Sequence, residues 1–449
     1  MEYNDKTRET ITLTIIIVGL AELVLGAIAI RYADARFVLI LMMIILLVIC
    51  IFRVKNLIEE EELAQLAQVA KNASLTNNTL TNPQPATQSE VIPEGLRNYY
   101  MRLKRLAREY ELGAQNQEFT DFSSIKEIGE SLRAYAAMRG ITISEEMVKD
   151  LLVAMASSRC IFVKETRSNT EDILSVIEEF FSGLERGCGE FTTPLIQSSD
   201  LMATYKDNAP VETEFFKKVY SALFFSNSIS VCAMKNLGDC NFGYVFGSFI
   251  QLFKKPSGKT TYHMSQVHVS QNIPKITERK LELPNNLWCF FLVGDDFVMP
   301  KDSALWATTL EVYGDGCKNT EPMRNEKILS FAQFHELVEA TYDEYFIPLD
   351  IWKKFDRVEE YLNASVNFTV ANPLARQIEC LTTMHIAYGA SPVQAMDIAI
   401  ARKILPLLAG YTAEQINQES GTLRELLDGL FGIENIPECL QAMSSLQLD

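Results

Sequence analysis

The chain has 449 residues, enough for two or three globular units, so burying a core is no obstacle and a disulfide-stapled miniature scaffold is excluded. Its 41 Lys and Arg stand against 58 Asp and Glu, and the formal net charge of -17 argues against non-specific nucleic-acid binding by the chain as a whole. Nine cysteines with no C-x-x-C pair give neither a zinc motif nor a disulfide framework, and four histidines (His263, His268, His335, His385) leave little material for a metal site. Reduced thiols in a cytoplasmic domain fit best.

Residues 1–10 form a short tail, and residues 11–30 are almost continuously apolar. At ~1.5 Å per residue such a run matches the roughly 30 Å hydrocarbon core and predicts a transmembrane helix. Residues 37–52 form a second, shorter run bracketed by Arg36 and Arg53, whose side chains can snorkel to the interfaces, so 11–53 reads as a membrane hairpin. Ala33-Asp34-Ala35 resembles a signal-peptide cleavage site, but the first run is long for that role and a second span follows at once. Lys6, Arg8, Arg53, Lys55 and Lys71 lie outside the hairpin against Arg31 and Arg36 in its turn, which predicts a multi-pass membrane protein with both termini cytoplasmic. Glu22 falls mid-span, where a charged carboxylate costs at least a few kcal/mol. A neutral Glu at a helix seam beside Gly19 and Gly26 is the preferred reading, and a proton or oligomerisation site the sharper one.

Residues 54–71 carry helix formers and an acidic cluster, a juxtamembrane helix, and 72–93 are an Asn, Thr, Pro and Gln-rich linker. As a flexible coil this linker spans roughly 25 Å. Its two glycosylation sequons at Asn72 and Asn77 fall on the cytoplasmic side and are read as chance. Within a helical segment at 94–143, Leu96, Tyr99, Leu103, Leu106 and Tyr110 recur at three-four spacing and define an amphipathic stripe. Arg97, Arg102, Lys104, Arg105 and Arg108 lie mostly off that stripe and read as a solvated basic face rather than an anion contact.

Across 144–327 the apolar runs 160–163, 229–234, 288–293 and 308–312 read as buried strands separated by helix-period segments, which predicts a parallel α/β sheet. Beyond residue 328 the strand signal stops, and 328–449 reads as a helical lid and C-terminal region.

Four stretches in order resemble an AAA+ ATPase domain of the McrB type. SEEMVKDLLVAMASSRCIFVK is similar to the helix and strand that feed a P-loop. SSDLMATYKDNAPVETEFFKKVYSALFF resembles the Asp-Leu segment and long helix before the Walker B strand. LPNNLWCFFLVGDD looks like the sensor 1 strand, and MDIAIARKILPLLAG like the D-x-A-x-x-x-K-I-L-P run of the lid. The resemblance covers roughly 125–435 and implies an AAA+-like parallel-sheet core with a C-terminal helical lid.

Where that family carries its chemistry, this sequence departs from it. A P-loop uses G-x-x-x-x-G-K-[ST], in which backbone N–H groups wrap the phosphates, lysine neutralises them and the hydroxyl holds magnesium. Here Lys164 to Glu171 fills the place with no glycine, Thr170 at the lysine position and Glu171 at the hydroxyl position. Glu171 and Asp172 already supply negative charge to the first helical turn and repel a triphosphate. Met234-Lys235 stands at the Walker B acidic pair, Gly294 at the sensor 1 asparagine, and Leu305-Trp306 at the Asp-Arg that would supply an arginine finger, worth on the order of 10³ to 10⁵ in rate where used.

Other motif fragments carry little. Pro256 to Thr261 ends like a P-loop but reads as a hairpin turn before a strand at Met264 to Val269, and His335 to Glu339 begins like H-E-x-x-H without its second histidine. His263 and His268 lack a third ligand and read as strand-surface residues, and Gly294-Asp295-Asp296 is a lone tripeptide. The sequence thus predicts no catalytic, cofactor-binding or metal-binding residues. It predicts a membrane-anchored AAA+-like adaptor or scaffold, bound to the bilayer through 11–53 and working with an AAA+ or other effector partner or as a homo-oligomer, without nucleic acid. The alternative is an active or nucleotide-sensing ATPase or GTPase with rearranged motifs.

Overall fold

The computed structural model describes residues 93–448, apart from 166–167, 185–186, 256–257, 266, 268–271, 295–296, 320–327 and 419–420. The expected tail 1–10, hairpin 11–53, juxtamembrane helix 54–71 and all but the last residue of the linker lie outside the described residues. Among the described residues no helix is long and apolar enough to cross a membrane.

Five strands form the central sheet: β1 (Cys160–Lys164), β2 (Gly189–Glu190), β3 (Ser230–Lys235), β4 (Leu287–Val293) and β5 (Ala307–Glu311). They pair in the order β5-β1-β4-β3-β2, and every pairing is parallel. Because side chains alternate along a strand, the apolar runs feed two cores. Ile161, Val163, Phe290 and Leu292 enter one; Cys160, Phe162, Cys289 and Phe291 enter the other. A parallel sheet buried on both faces needs such uninterrupted apolar strands.

Helices α1 (Glu94–Gln115), α2 (Ile125–Met138), α3 (Glu145–Ser157), α4 (Thr170–Ser182), α5 (Glu214–Ala222) and α6 (Gly247–Lys254) supply the layers. Apolar side chains of α2, α3 and α4 contribute to the first core, and those of α1, α5 and α6 to the second. Ser124, Ser144 and Thr213 each accept an N–H of the following first turn, which fixes where α2, α3 and α5 begin. The second core is aromatic: Phe242 stacks on Phe246 with centroids 4.2 Å apart, and on Trp306 at 5.7 Å.

The expected helical segment 94–143 also holds a strand, Ile141–Thr142, antiparallel to Asp315–Gly316. At Gly316, with φ +98°, an added Cβ would lie 2.2 Å from the Gly140 carbonyl oxygen, so this pairing requires glycine. A strand at Thr261–His263, antiparallel to Lys280–Glu282, lies just before the one expected at Met264 to Val269, of which 266, 268 and 269 lie outside the described residues. Helix α6, packed through Phe249 and Phe253, precedes Pro256 to Thr261, where the sequence reading expects the strand of a hairpin.

From Phe331 onward the described regular elements are helical, among them α7 (Phe331–Glu344), α8 (Leu349–Val366), α9 (Asn372–Ala387), α10 (Pro392–Ala399), α11 (Leu423–Phe431) and α12 (Pro437–Leu446). Phe334, Phe355, Ile378, Met396, Leu427 and Met443 belong to the same buried cluster as Leu151 and Ile177. The boundary at 327/328 therefore separates strand-bearing from helical sequence, but not two hydrophobic cores.

Two residues of the lid-like run have structural work. The buried Asp397 carboxylate accepts the N–H groups of Glu438 (3.0 Å) and Cys439 (2.9 Å), satisfying first-turn donors of α12. Lys403, fully buried, donates to the Ala307 carbonyl (2.7 Å), Gln377 Oε1 (2.9 Å) and Ser158 Oγ (3.2 Å), tying the helical region to β5 and to the entry of β1.

His385, in the last turn of α9, is 1% exposed, and Arg402 and Lys149 add to the burial that pulls its pKa down to about 3. In the unfolded chain it titrates near ~6.5. Between these values the unfolded chain holds a proton that the native state refuses, so this group's contribution falls as pH falls from ~6.5, by at most about 1.4 kcal/mol per pH unit. Wild type should lose more stability than His385→Gln between pH 6.5 and 4 in urea titrations. Parallel pH profiles would refute this assignment.

Candidate functional site

In an open α/β sheet, ligands bind beyond the carboxyl ends of the strands where the strand order reverses. Here β1 lies between β4 and β5, and the chain leaves it for the far edge at β2, so that crevice lies at the ends of β1, β3 and β4. A cavity of about 320 Å³ lies at this end, lined among others by Glu165, Glu171, Lys235, Asp239 and Gly294. Three of the substituted motif positions therefore meet around one space.

The dominant contact there is internal. Lys235 Nζ, at the end of β3, donates to both Glu171 carboxylate oxygens at 2.9 and 2.8 Å, and Glu171 sits in the first turn of α4. The hydrogen bond to Glu171 holds the Lys235 ammonium above its ordinary pKa. Thus the residue that the sequence resemblance sets at the Walker B position pairs with the one it sets at the magnesium-hydroxyl position. Beside the pair, Glu165 and Asp239 leave the lining net negative. Asn236, at φ +61°, donates its amide to Glu190 Oε1 at 2.5 Å, which closes the β2 side.

The N-terminus of α4 is likewise occupied. Asp172 accepts the Lys318 backbone N–H at 3.2 Å. Asn169 spends its side-chain amide on the carbonyls of Gly314 (2.9 Å) and Gly316 (3.1 Å), so it tethers the loop after β5 instead of capping the helix. Thr170, at the P-loop lysine position, is 1% exposed and does not project into the crevice as a phosphate ligand must. Among the described lining residues an anion would meet one lysine, already paired with a carboxylate.

The remaining position lies elsewhere. Trp306, with 0% exposure, is in the aromatic core against Phe162, Phe242 and Phe253, and the Leu305 carbonyl accepts from Gln377. It packs rather than reaching toward a neighbour. His263 is exposed on its short strand, and His268 lies outside the described residues. His335 faces Arg159, with its Nε2 2.8 Å from the guanidinium.

Sequence reading missed the buried charges. Glu178, within the apolar α4, pairs with Lys218 of α5 (2.5 Å), and its neighbour Glu179 meets Arg139 (3.1 Å) and the Lys318 ammonium. The signal was present as two adjacent glutamates inside ILSVIEEFFS, where charge has no place without partners. Compared with known families and with curated proteins, the chain has no match in either.

Proposed function

We propose that this chain is a catalytically inactive, AAA+-like adaptor or scaffold anchored in a membrane, with both termini and the main domain on the cytoplasmic side. The open parallel sheet covered by helices on both faces and followed by a helical region fits the frame that the sequence resembles. The observation that carries the inactive reading is the Lys235–Glu171 ion pair across the carboxyl ends of β1 and β3. Catalysis of phosphoryl transfer needs magnesium and positive charge held there with open coordination, and this pair supplies a satisfied carboxylate in their place.

A subunit that keeps the frame without the chemistry acts through its surfaces. We place the effect in a catalytically competent AAA+ or other effector held at the same membrane. The hairpin at 11–53 supplies the location, and the linker at 72–93 an effective concentration that reaches the millimolar range for a partner within its span.

One native-membrane experiment tests anchor and partner together. In intact cells an impermeant thiol reagent should label Ala33→Cys and spare Ser74→Cys, and crosslinking with mass spectrometry should enrich a nucleotide hydrolase over a control membrane protein. The reverse labelling pattern would refute the orientation, and self-crosslinks alone would refute the heteromeric reading.

A further inference from the structure

At the opposite, amino-terminal end of the sheet lies a second cavity of about 510 Å³, a volume suited to a small organic ligand. Its floor is Trp288, the second residue of β4, and Arg159, the residue before β1; α7 and α9 form the wall through Phe334, His335 and Gln377. Arg159 is 6% exposed, and its guanidinium lies 3.4 Å from the centroid of the Trp288 ring. The ring is held in turn, since its indole N–H donates to the Met155 carbonyl at 2.8 Å.

What is unusual is the absence of a counter-charge. An arginine only donates, so the 2.8 Å contact from Nη2 makes His335 Nε2 an acceptor and the imidazole neutral. Partial burial of a ring that still reaches solvent, with Arg159 and Arg376 nearby, pulls the His335 pKa down to about 4, in agreement with that tautomer. Arg159 Nη1 has no hydrogen-bond partner, and among the described residues no carboxylate lies within ion-pair distance of Arg159. Behind the wall, Lys403 is also buried without a carboxylate, and it is bonded to Ser158 and Gln377, both of which line the cavity. The nearest acid on the lining, Glu339, is exposed at the rim and engaged by Arg376 at 2.9 Å. Buried cations are ordinarily paired, and among the described residues Arg159, which lines the cavity, has no such partner.

The geometry points to a binding site for a small organic monocarboxylate, whose acid group pairs with Arg159 and whose apolar body rests against Phe334 and Val338. A guanidinium matches a carboxylate's two oxygens, and Nη1 has a donor to give. With His335 neutral, Lys254 paired with Asp302 and Arg376 paired with Glu339, Arg159 is the lining cation left to compensate, and one carboxylate does so; a phosphate dianion would bring excess charge toward Glu339. The site is remote from the carboxyl-end crevice and does not depend on the adaptor reading. A bound acid would bridge the sheet to α7 and α9.

Ligand-observed fluorine NMR on the full-length protein in detergent micelles tests this, with 4-fluorophenylacetate as probe, 4-fluorophenylacetamide as its neutral counterpart and 4-fluorophenyl phosphate as the dianion. The acid should bind at least tenfold more tightly than either, and Arg159→Gln should abolish that preference while Arg376→Gln, at the exposed rim, keeps it. Arg159→Lys, which retains the charge but loses the fork, should weaken the acid several-fold, a second check should the glutamine variant fold poorly. Equal binding of acid and amide, tighter binding of the phosphate, or an acid preference that survives in Arg159→Gln would each overturn the assignment.

Discussion

Lys218→Met should destabilise the protein by about 3–5 kcal/mol, because it removes the ammonium that pairs with the Glu178 carboxylate in a site with 0% exposure. Lys218 Nζ lies 2.6 and 2.5 Å from the two Glu178 oxygens and 2.6 Å from the Gly187 carbonyl, so its three donors are spent. The pair joins α4 to α5, helices that serve different cores, beside the short edge strand β2. Gly189 makes this passage possible, since a Cβ there would sit 3.2 Å from Lys218 Cε and 2.7 Å from Met234 Sδ. Desolvating two charges offsets most of their attraction, so Lys218→Met combined with Glu178→Leu should recover most of the loss. Urea midpoints with unchanged slopes measure both. A single variant within 1 kcal/mol of wild type (roughly a fivefold change in the unfolding equilibrium) would show that the pair is not buried as described.

Trp306→Ala should cost about 3–5 kcal/mol, the range for emptying an aromatic site in a core. Three rings pack on the indole, at 6.1 Å (Phe162), 5.7 Å (Phe242) and 6.3 Å (Phe253), and all three belong to the second core. Restoring the arginine of the AAA+ pattern, Trp306→Arg, should cost at least as much, because it adds an unpaired buried charge to the lost packing. Urea unfolding checks both. An arginine variant as stable as wild type would mean that the position reaches solvent.

The frame of this fold is legible because its strands are long apolar runs. The runs at 160–163, 229–234, 288–293 and 308–312 all enter one parallel sheet, with ends shifted by a residue at most. β2 is two residues long, too short to carry a period, and it exists because Gly189 and Glu190 meet Met234 and Lys235. The strand Thr261–His263 escapes a reading by hydropathy for a related reason: its three residues are fixed by pairing with Lys280–Glu282, whereas the more apolar look of 264–269 draws the eye past them. In the carboxyl-end crevice the sequence reveals which chemical groups are missing. It does not reveal that Lys235 and Glu171, 64 residues apart, bind each other, because that depends on β3 ending where α4 begins. Arg159 is equally invisible: nothing in SSRCIFVK says that its guanidinium lies on Trp288, with no carboxylate at ion-pair distance among the described residues.

Closure of the crevice at the carboxyl ends of β1, β3 and β4 to nucleotide, by its own residues, is the proposed basis of inactivity. It is tested most directly by thermal unfolding of the full-length protein in detergent micelles, titrated with ATP and GTP in the presence of magnesium, with phosphate release followed in the same samples. A ligand that binds only the native state stabilises it by ~2.7 kcal/mol at 100 times its dissociation constant, well within reach of the method. The account predicts no saturable shift with either nucleotide and no turnover above a heat-denatured control. A saturable shift or turnover that Lys235→Ala abolishes would contradict it.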